Sequence, residues 1–145
     1  MAHSPMDQDA PADLVARAEA LARSAHAGQF RRDGSTPYIV HPQAVAARVA
    51  GDPLAESAAW LHDALEDTAV GEEEMRAHRI PEEVIACIRL LTKPEDAVYE
   101  SYLREVKADP LARKVKIADM LSNLADAPTD KQIVKYAKGL LILFS

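Results

Sequence analysis

Proline and glycine divide this chain into segments of helical length, and no segment alternates apolar with polar residues long enough to predict a strand. Proline is favoured in the first turn of a helix, because its missing N–H has no partner inside the helix there. Glycine is favoured just after the last turn. Segments with apolar residues at helical spacing begin at Pro11, Pro42, Pro53, Pro81 and Pro110, and glycines end the first two at Gly28 and Gly51. The sequence therefore predicts an all-α fold.

We expect about seven or eight helices in one domain that covers residues 11–145, with residues 1–10 as a flexible N-terminal tail. The expected helices run from Pro11 to near Gly28, from Pro42 to Gly51, from Pro53 to about Asp67, from Glu72 to His78, from Pro81 to near Leu91, from Glu95 to Lys107, from Pro110 to Ala125, and from a capping-box sequence at residues 129–132 onward. Residues 29–40 are expected to form a loop.

Composition restricts the class of protein. A chain of 145 residues with 48% hydrophobic and 28% charged residues is ordinary for a single globular domain. The 17 basic and 23 acidic residues give a net charge of −6, which is unfavourable for binding DNA or RNA through phosphates. Cys87 is the single cysteine, so an internal disulfide is excluded. We see neither a signal peptide nor an apolar run long enough for a membrane, and expect a cytoplasmic protein without a membrane partner.

The segment 58–68 carries the most chemical information. If it is helical, His62 and Glu66 lie four residues apart, as do Asp63 and Asp67, so four ionisable groups share one patch. Carboxylates this close repel one another, and a divalent cation would reverse the effect because imidazole and carboxylate are both metal ligands. A solvent-facing acidic strip explains the same pattern. This segment alone leaves both interpretations open.

Other polar residues are equally open to two interpretations. His41 precedes a proline at a helix start, where it fits a turn residue as well as a metal ligand. Asp119 and Asn123 lie four residues apart and fit a polar helix face. Arg31 and Arg32 fit a solvated basic turn or a phosphate-binding pair, because arginine offers two N–H groups to phosphate oxygens.

Five segments, taken in order, resemble the HD-domain hydrolases of RelA/SpoT-type proteins, in particular the stand-alone small alarmone hydrolases. The segments are AHAGQFRRDG at residues 25–34, PYIVHP at 37–42, LHDALEDT at 61–68, LTK at 91–93 and VKIADMLSNL at 115–124. The likeness extends from about residue 15 to residue 125 in the order and approximate spacing of the family. It implies a compact, single-domain helical HD fold.

The resemblance also implies a metal centre. It assigns His41, His62, Asp63 and Asp119 as the ligands of one divalent ion, which is manganese in the family. Two imidazoles and two carboxylates suit manganese or iron, and zinc is a competitor. Four protein ligands leave coordination positions for water and substrate, as a catalytic metal requires.

Catalytic and substrate-binding residues follow from the same resemblance. Glu66 matches the residue that positions water at the metal and takes its proton, and Asp67 matches the residue that supports it. The residues that match family positions near the nucleotide and its phosphate groups are Arg31, Arg32, Lys93 and Asn123.

The function implied is that of a manganese-dependent phosphohydrolase, an enzyme that converts the small nucleotide (p)ppGpp into GDP or GTP and pyrophosphate by hydrolysing its 3′-pyrophosphate. The alternatives are hydrolysis of another nucleotide or phosphoester and, in a different class, a nucleotide sensor without catalysis. The presence of both Glu66 and Asp67 argues against a sensor, because binding alone does not need them.

The C-terminal segment departs from the family. Only 22 residues follow Asn123, fewer than in the longer hydrolases, whose C-terminal helices help to hold the nucleotide. Lys131, Lys135 and Tyr136 are candidates to replace those contacts. The aliphatic run at residues 140–144 fits either the core or a contact between copies, so a homo-oligomer stays open.

Overall fold

Helices make up most of the backbone. The structure is a computed structural model that describes residues 10–145, so all but the last residue of the expected tail lie outside the described part. Its helices are α1 (Pro11–Ala25), α2 (Val40–Arg48), α3 (Pro53–Leu61), α4 (Ala64–Asp67), α5 (Glu72–Ala77), α6 (Glu82–Leu91), α7 (Tyr99–Ala108), α8 (Pro110–Leu124) and α9 (Asp130–Phe144). Within residues 10–145 no strand forms, although Phe30 and Pro37 make an isolated antiparallel bridge. The all-α prediction is confirmed.

Several helices begin with the local contacts that the sequence predicts. Asp52 accepts a hydrogen bond from the backbone N–H of Ala55 at the start of α3, with Pro53 as the first helical residue. Thr129 and Gln132 form the expected capping box at the start of α9. Each contact satisfies a backbone N–H that has no partner inside its helix.

Two helices begin two or more residues from the position that the sequence predicts. Helix α2 begins two residues before Pro42, which still lies in the first turn, where its missing N–H is not needed. Helix α7 begins at Tyr99 rather than Glu95. A turn in which the Ala97 N–H donates to the Pro94 carbonyl occupies the intervening residues.

The expected helix from Pro53 to Asp67 is interrupted, which corrects the prediction. It ends at Leu61, and the four-residue α4 follows after His62 and Asp63. The Ala59 carbonyl accepts from both the backbone N–H and the ring Nδ1 of His62, a local contact that competes with regular helical hydrogen bonding. With α4 counted as a continuation of α3, the described residues contain the expected eight helices.

Helix α3 lies at the centre of the domain and packs against α1, α2, α6 and α8. Its residues Ala55, Ala58 and Ala59 are completely buried. Their small side chains allow close packing of the surrounding helices. Because α8 also packs against α2, the helices that carry the predicted metal ligands meet one another.

The C-terminal helix α9 packs against α7 and α8. Leu143 is completely buried, whereas Leu141 and Phe144 are exposed. The aliphatic run therefore joins the core by one face, and a contact of its other face with a second copy stays a prediction. None of the helices in residues 10–145 has the length and hydrophobicity needed to cross a membrane.

Replacing Asp109 by alanine should destabilise the domain. The Asp109 side chain accepts hydrogen bonds from the backbone N–H groups of Leu111 and Ala112 at the start of α8. Losing such a cap lowers the free energy of unfolding by about 0.5–2 kcal/mol, which a urea titration measures. Asp109→Asn retains a side-chain oxygen and should lose less. Equal losses in both variants would contradict the capping role.

Candidate metal centre and active-site cleft

Three helices bring the four predicted ligands together. The Nε2 atom of His41, in α2, lies 2.8 Å from Oδ1 of Asp119, in α8. The Nε2 atom of His62, directly after α3, lies 3.1 Å from Oδ2 of Asp63 and 3.3 Å from Oδ1 of Asp119. Ligand atoms of His41, His62 and Asp63 all lie within 4.8 Å of one another. The structure therefore places the four residues in one group, with both histidines and Asp119 buried.

The imidazole of His62 is oriented as a metal ligand. Its Nδ1 atom lies 2.6 Å from the Ala59 carbonyl oxygen and donates to it, because a carbonyl oxygen can only accept. Its Nε2 atom is buried, has no hydrogen-bond partner within the described residues and faces two carboxylate oxygens. A neutral imidazole in this tautomer directs a lone pair at anionic oxygens, an arrangement that a cation stabilises. The donor set therefore fits a divalent metal ion.

Charges within the group also favour a cation. Burial opposes the charged form of His62, but Asp63 and Asp119 raise its pKa well above the ordinary value. Burial opposes the charged form of Asp63, but His62 lowers its pKa to about 2. Burial opposes the charge of Asp119 too, yet Lys116 and then His62 hold its pKa well below the ordinary value. Both carboxylates are therefore ionised, and the field that holds a proton on His62 also attracts a metal ion.

Neighbouring polar side chains orient the two carboxylates. The Tyr38 hydroxyl donates to Asp63 Oδ2 at 2.5 Å. Lys116 Nζ donates to Asp119 Oδ2 at 3.0 Å, and Asn123 Nδ2 donates to Asp119 Oδ1 at 3.3 Å. Contacts of this kind fix the orientation of metal ligands. Asn123, which was predicted to lie near the nucleotide, thus contacts a ligand carboxylate directly.

The two acidic residues of α4, Glu66 and Asp67, lie in different places relative to the metal group. Glu66 lines a cleft together with His62, Asp63 and Asp119, whereas Asp67 is not among the described residues that line it. Burial raises the pKa of Glu66, and the nearby charges of Asp67 and Asp63 raise it further. A carboxylate with a raised pKa is a stronger base once ionised, so Glu66 is suited to accept a proton from water.

Residues of the loop before α2 form hydrogen bonds to Asp63 and to the backbone of α4. Gln29 Nε2 donates to the backbone carbonyl of Asp67 at 2.9 Å, and its Oε1 accepts from His26 Nδ1 at 2.8 Å. The His26 ring also lies against the ring of Tyr38, with centroids 4.8 Å apart, and Tyr38 in turn holds Asp63. His26 therefore contacts two residues that hold the site in place: Tyr38, which bonds to Asp63, and Gln29, which bonds to the backbone of α4 at Asp67.

The cleft beside the metal group has a volume of about 550 Å³. Lys93, predicted to lie near the substrate, lines this cleft, and so do Lys116, Lys135 and Tyr99. Sequence reasoning did not select Lys116 as a site residue, although it precedes Asp119 by three residues, a spacing that brings side chains together on a helix. No sequence pattern indicates Tyr99.

A second cleft of about 600 Å³ contains the two predicted arginines and Asn123. Arg31 forms an ion pair with Asp126 at 3.0 Å, and its guanidinium lies over the Tyr38 ring. Arg32 is exposed and forms no hydrogen bond or ion pair within the part of the chain that the structure describes. The two clefts share no lining residue, so the predicted substrate contacts fall at two separate places.

Comparison with known proteins agrees with the fold. No family model matches the chain. A guanosine-3′,5′-bis(diphosphate) 3′-pyrophosphohydrolase of Haemophilus influenzae is 51% identical over 59 residues, which are 39% of this chain and 9% of the relative. One of Aquifex aeolicus with the same name is 35% identical over 124 residues, 78% of this chain and 18% of the relative. A probable GTP pyrophosphokinase of Mycobacterium leprae is 32% identical over 145 residues, 90% of this chain and 18% of the relative.

A solved structure shows the same fold. It is a metazoan ortholog of SpoT described as hydrolysing ppGpp, and it superposes with a TM-score of 0.76 at 24% identity, covering 99% of this chain and 88% of that one. By fold the chain is an HD domain, and by sequence it is similar to RelA/SpoT-type proteins. This HD domain spans less than a fifth of the length of the curated relatives given above.

The HD domain should bind close to one divalent ion per chain. Adding Mn²⁺ to the metal-free protein should raise the melting temperature, because a ligand that binds the native state stabilises it. Metal analysis after gel filtration and a thermal melt measure both effects, and His62→Ala should abolish them. His78→Ala, which changes an exposed histidine outside the group, should behave like the original protein. A metal-independent melting temperature in the unaltered protein would contradict the site.

Proposed function

We propose that this HD domain is a divalent-metal-dependent phosphohydrolase that releases pyrophosphate from the 3′ position of (p)ppGpp and leaves GDP or GTP. The observation that carries the proposal is that Glu66 lines the same cleft as His62, Asp63 and Asp119. Hydrolysis of a phosphate ester with metal assistance needs a cation site and a base for water next to each other. His62, Asp63 and Asp119 are the candidates for the cation site, and Glu66 is the candidate base.

The relatives are named for two activities, hydrolysis of a guanosine bis(diphosphate) and GTP pyrophosphokinase activity. Each relative is much longer than this chain, so neither name decides the activity of this domain. The site favours hydrolysis, because Glu66 is exposed and a solvent-open cleft supplies water as the nucleophile. Transfer of a pyrophosphoryl group to a second nucleotide requires water to be kept out.

The residues of the chain have separate roles in the proposed reaction. A bound divalent ion supplies Lewis-acid activation and neutralises phosphate charge. Glu66 accepts a proton from the attacking water as its oxygen bonds to the phosphorus next to the ribose. The bond between that phosphorus and the ribose 3′ oxygen breaks, and this oxygen takes up the proton that Glu66 gives back, so GDP or GTP leaves with a 3′ hydroxyl and Glu66 is ionised again. Cationic side chains around the cleft offset the negative charge that develops on the phosphate oxygens.

Manganese is the metal that we propose. Two imidazole nitrogens and two carboxylate oxygens suit a metal of intermediate hardness, and such a set does not exclude zinc by geometry alone. The proposal is tested by loading the metal-free protein separately with Mn²⁺, Zn²⁺ and Mg²⁺. Turnover that is highest with Zn²⁺ or Mg²⁺ would contradict manganese and leave the ligand set in place.

The activity itself is tested by a product assay on ppGpp, pppGpp and ordinary nucleotides with added Mn²⁺. Pyrophosphate released from ppGpp and pppGpp supports the proposal. Release of phosphate from another nucleotide in preference to these two would favour a different phosphohydrolase. Nucleotide binding without any metal-dependent product would favour a sensor.

Glu66→Gln should separate metal binding from catalysis. The amide retains the size of the side chain but does not accept a proton, so turnover should fall about 100-fold or more while metal content stays unchanged. Initial rates and metal analysis on the same preparation measure the two effects. The control is Glu73→Gln, which changes an exposed glutamate on α5 and should retain full activity. A Glu66→Gln enzyme with a normal rate would contradict the proton-acceptor role.

Arg32→Ala should weaken substrate binding without loss of metal or stability. A guanidinium–phosphate contact contributes about 1.5–3 kcal/mol, which corresponds to roughly a 10- to 100-fold rise in KM. The melting temperature should stay within a degree or so of the original, because the Arg32 side chain is exposed. Arg104→Ala, on α7 and paired with Glu100, is the control. Equal kinetics for both variants would remove Arg32 from the substrate site.

A further inference from the structure

Three lysines converge on the cleft that contains the metal group, and they are not equivalent. Lys116 Nζ is already paired with Asp119, and Lys93 Nζ donates to the carbonyl of Pro94 at 3.2 Å. Lys135, from α9, lies over the ring of Tyr99 at 4.8 Å and has no ion pair within the described residues. Lys135 is therefore the cation of the three with the most capacity to bind an anion.

The surroundings of Lys135 favour such an anion. Burial lowers the pKa of Lys135, and the positive charges of Lys116 and Lys93 act in the same direction. Converging ammonium groups repel one another, and a shared anion would turn this repulsion into attraction. The hydroxyl of Tyr99, in the wall of the same cleft, is buried and has no hydrogen-bond partner within the described residues. An anion beside Lys135 would provide that partner.

The charge of the cleft suits a ligand with several negative charges. With His62 neutral, as a metal ligand must be, its charged lining residues are three lysines and the three acids Asp63, Glu66 and Asp119, so the net charge is 3 − 3 = 0. A divalent ion at the ligand group raises the net charge to +2. The volume of about 550 Å³ lies in the usual range for small-molecule sites.

We propose that Lys135, with the Tyr99 hydroxyl, binds the terminal phosphate of a diphosphate group whose inner phosphorus lies at the metal group. The inference rests on the proposed function and deepens it, because it makes the second phosphate of the scissile group a determinant of specificity. Lys116 contacts Asp119 of the metal group and lines the same cleft as Lys135, so it is available to either phosphate. Arg31 and Arg32 line the other cleft and are left for a different part of the substrate.

The test compares two ligands that differ only in the terminal phosphate and carry no guanosine, phenyl phosphate and phenyl diphosphate. Their binding to the metal-loaded Glu66→Gln protein is measured by isothermal titration calorimetry, since turnover in this background is expected to be slow. Adding Lys135→Gln should weaken phenyl diphosphate about tenfold and leave phenyl phosphate within twofold. Tyr99→Phe should produce a smaller loss of the same selectivity, and Lys135→Arg should retain most of the binding.

Lys138→Gln is the matched control, because Lys138 is an exposed lysine three residues later on α9 that does not line the cleft. Equal weakening of both ligands by Lys135→Gln, or an equal effect of Lys138→Gln on phenyl diphosphate, would overturn the subsite. Selective weakening supports it even if the product assay shows no turnover of (p)ppGpp, in which case the proposed substrate alone fails. If (p)ppGpp is turned over but Lys135→Gln weakens the two ligands equally, the subsite is overturned and the proposed function stands.

Discussion

The burial of the Asp119 carboxylate is the constraint on which fold and site both depend. An ionised carboxylate without partners is strongly disfavoured inside a protein, because it loses its hydration. Here Lys116 and Asn123 contact it from its own helix, and His41 contacts it from α2. The contact between α2 and α8 is therefore not apolar packing alone. It is also what makes a buried negative charge tolerable, and a cation in the group adds to the same compensation.

His62 links the local backbone to this charge group. One ring nitrogen bonds to the Ala59 carbonyl, next to the point where α3 ends, and the other faces Asp63 and Asp119. The interruption of the helix and the orientation of the ligand therefore have a common cause. A short, separate α4 follows, tied by Gln29 to the loop before α2, so the position of Glu66 depends on two independent attachments.

The parts of the structure that local chemistry determines could be predicted from the sequence. The starts of α3, α8 and α9 depend on side chains within three residues of each start, so the sequence pattern was sufficient. The interruption after Leu61 was not predictable, because residues 61–68 contain neither proline nor glycine. The four candidate ligands, which the structure brings together, were selected through the resemblance of whole segments. The separation of Arg31 and Arg32 from Lys93 depends on how distant helices pack, which spacing along the chain does not encode.

The packing of α9 against neighbouring helices affects which side chains line the cleft. A Cβ atom on Gly139 would lie 2.8 Å from Met120 Cε and 3.2 Å from Leu103 Cδ1, so the missing side chain allows α9 to lie close to α7 and α8. Lys135 is four residues, or about one turn, before Gly139 and lines the cleft that the candidate metal ligand Asp119 also lines. Met120 is adjacent to Asp119 in the chain. The same close contact therefore completes the core on one side of α8 and brings the Lys135 ammonium group to the candidate active-site cleft.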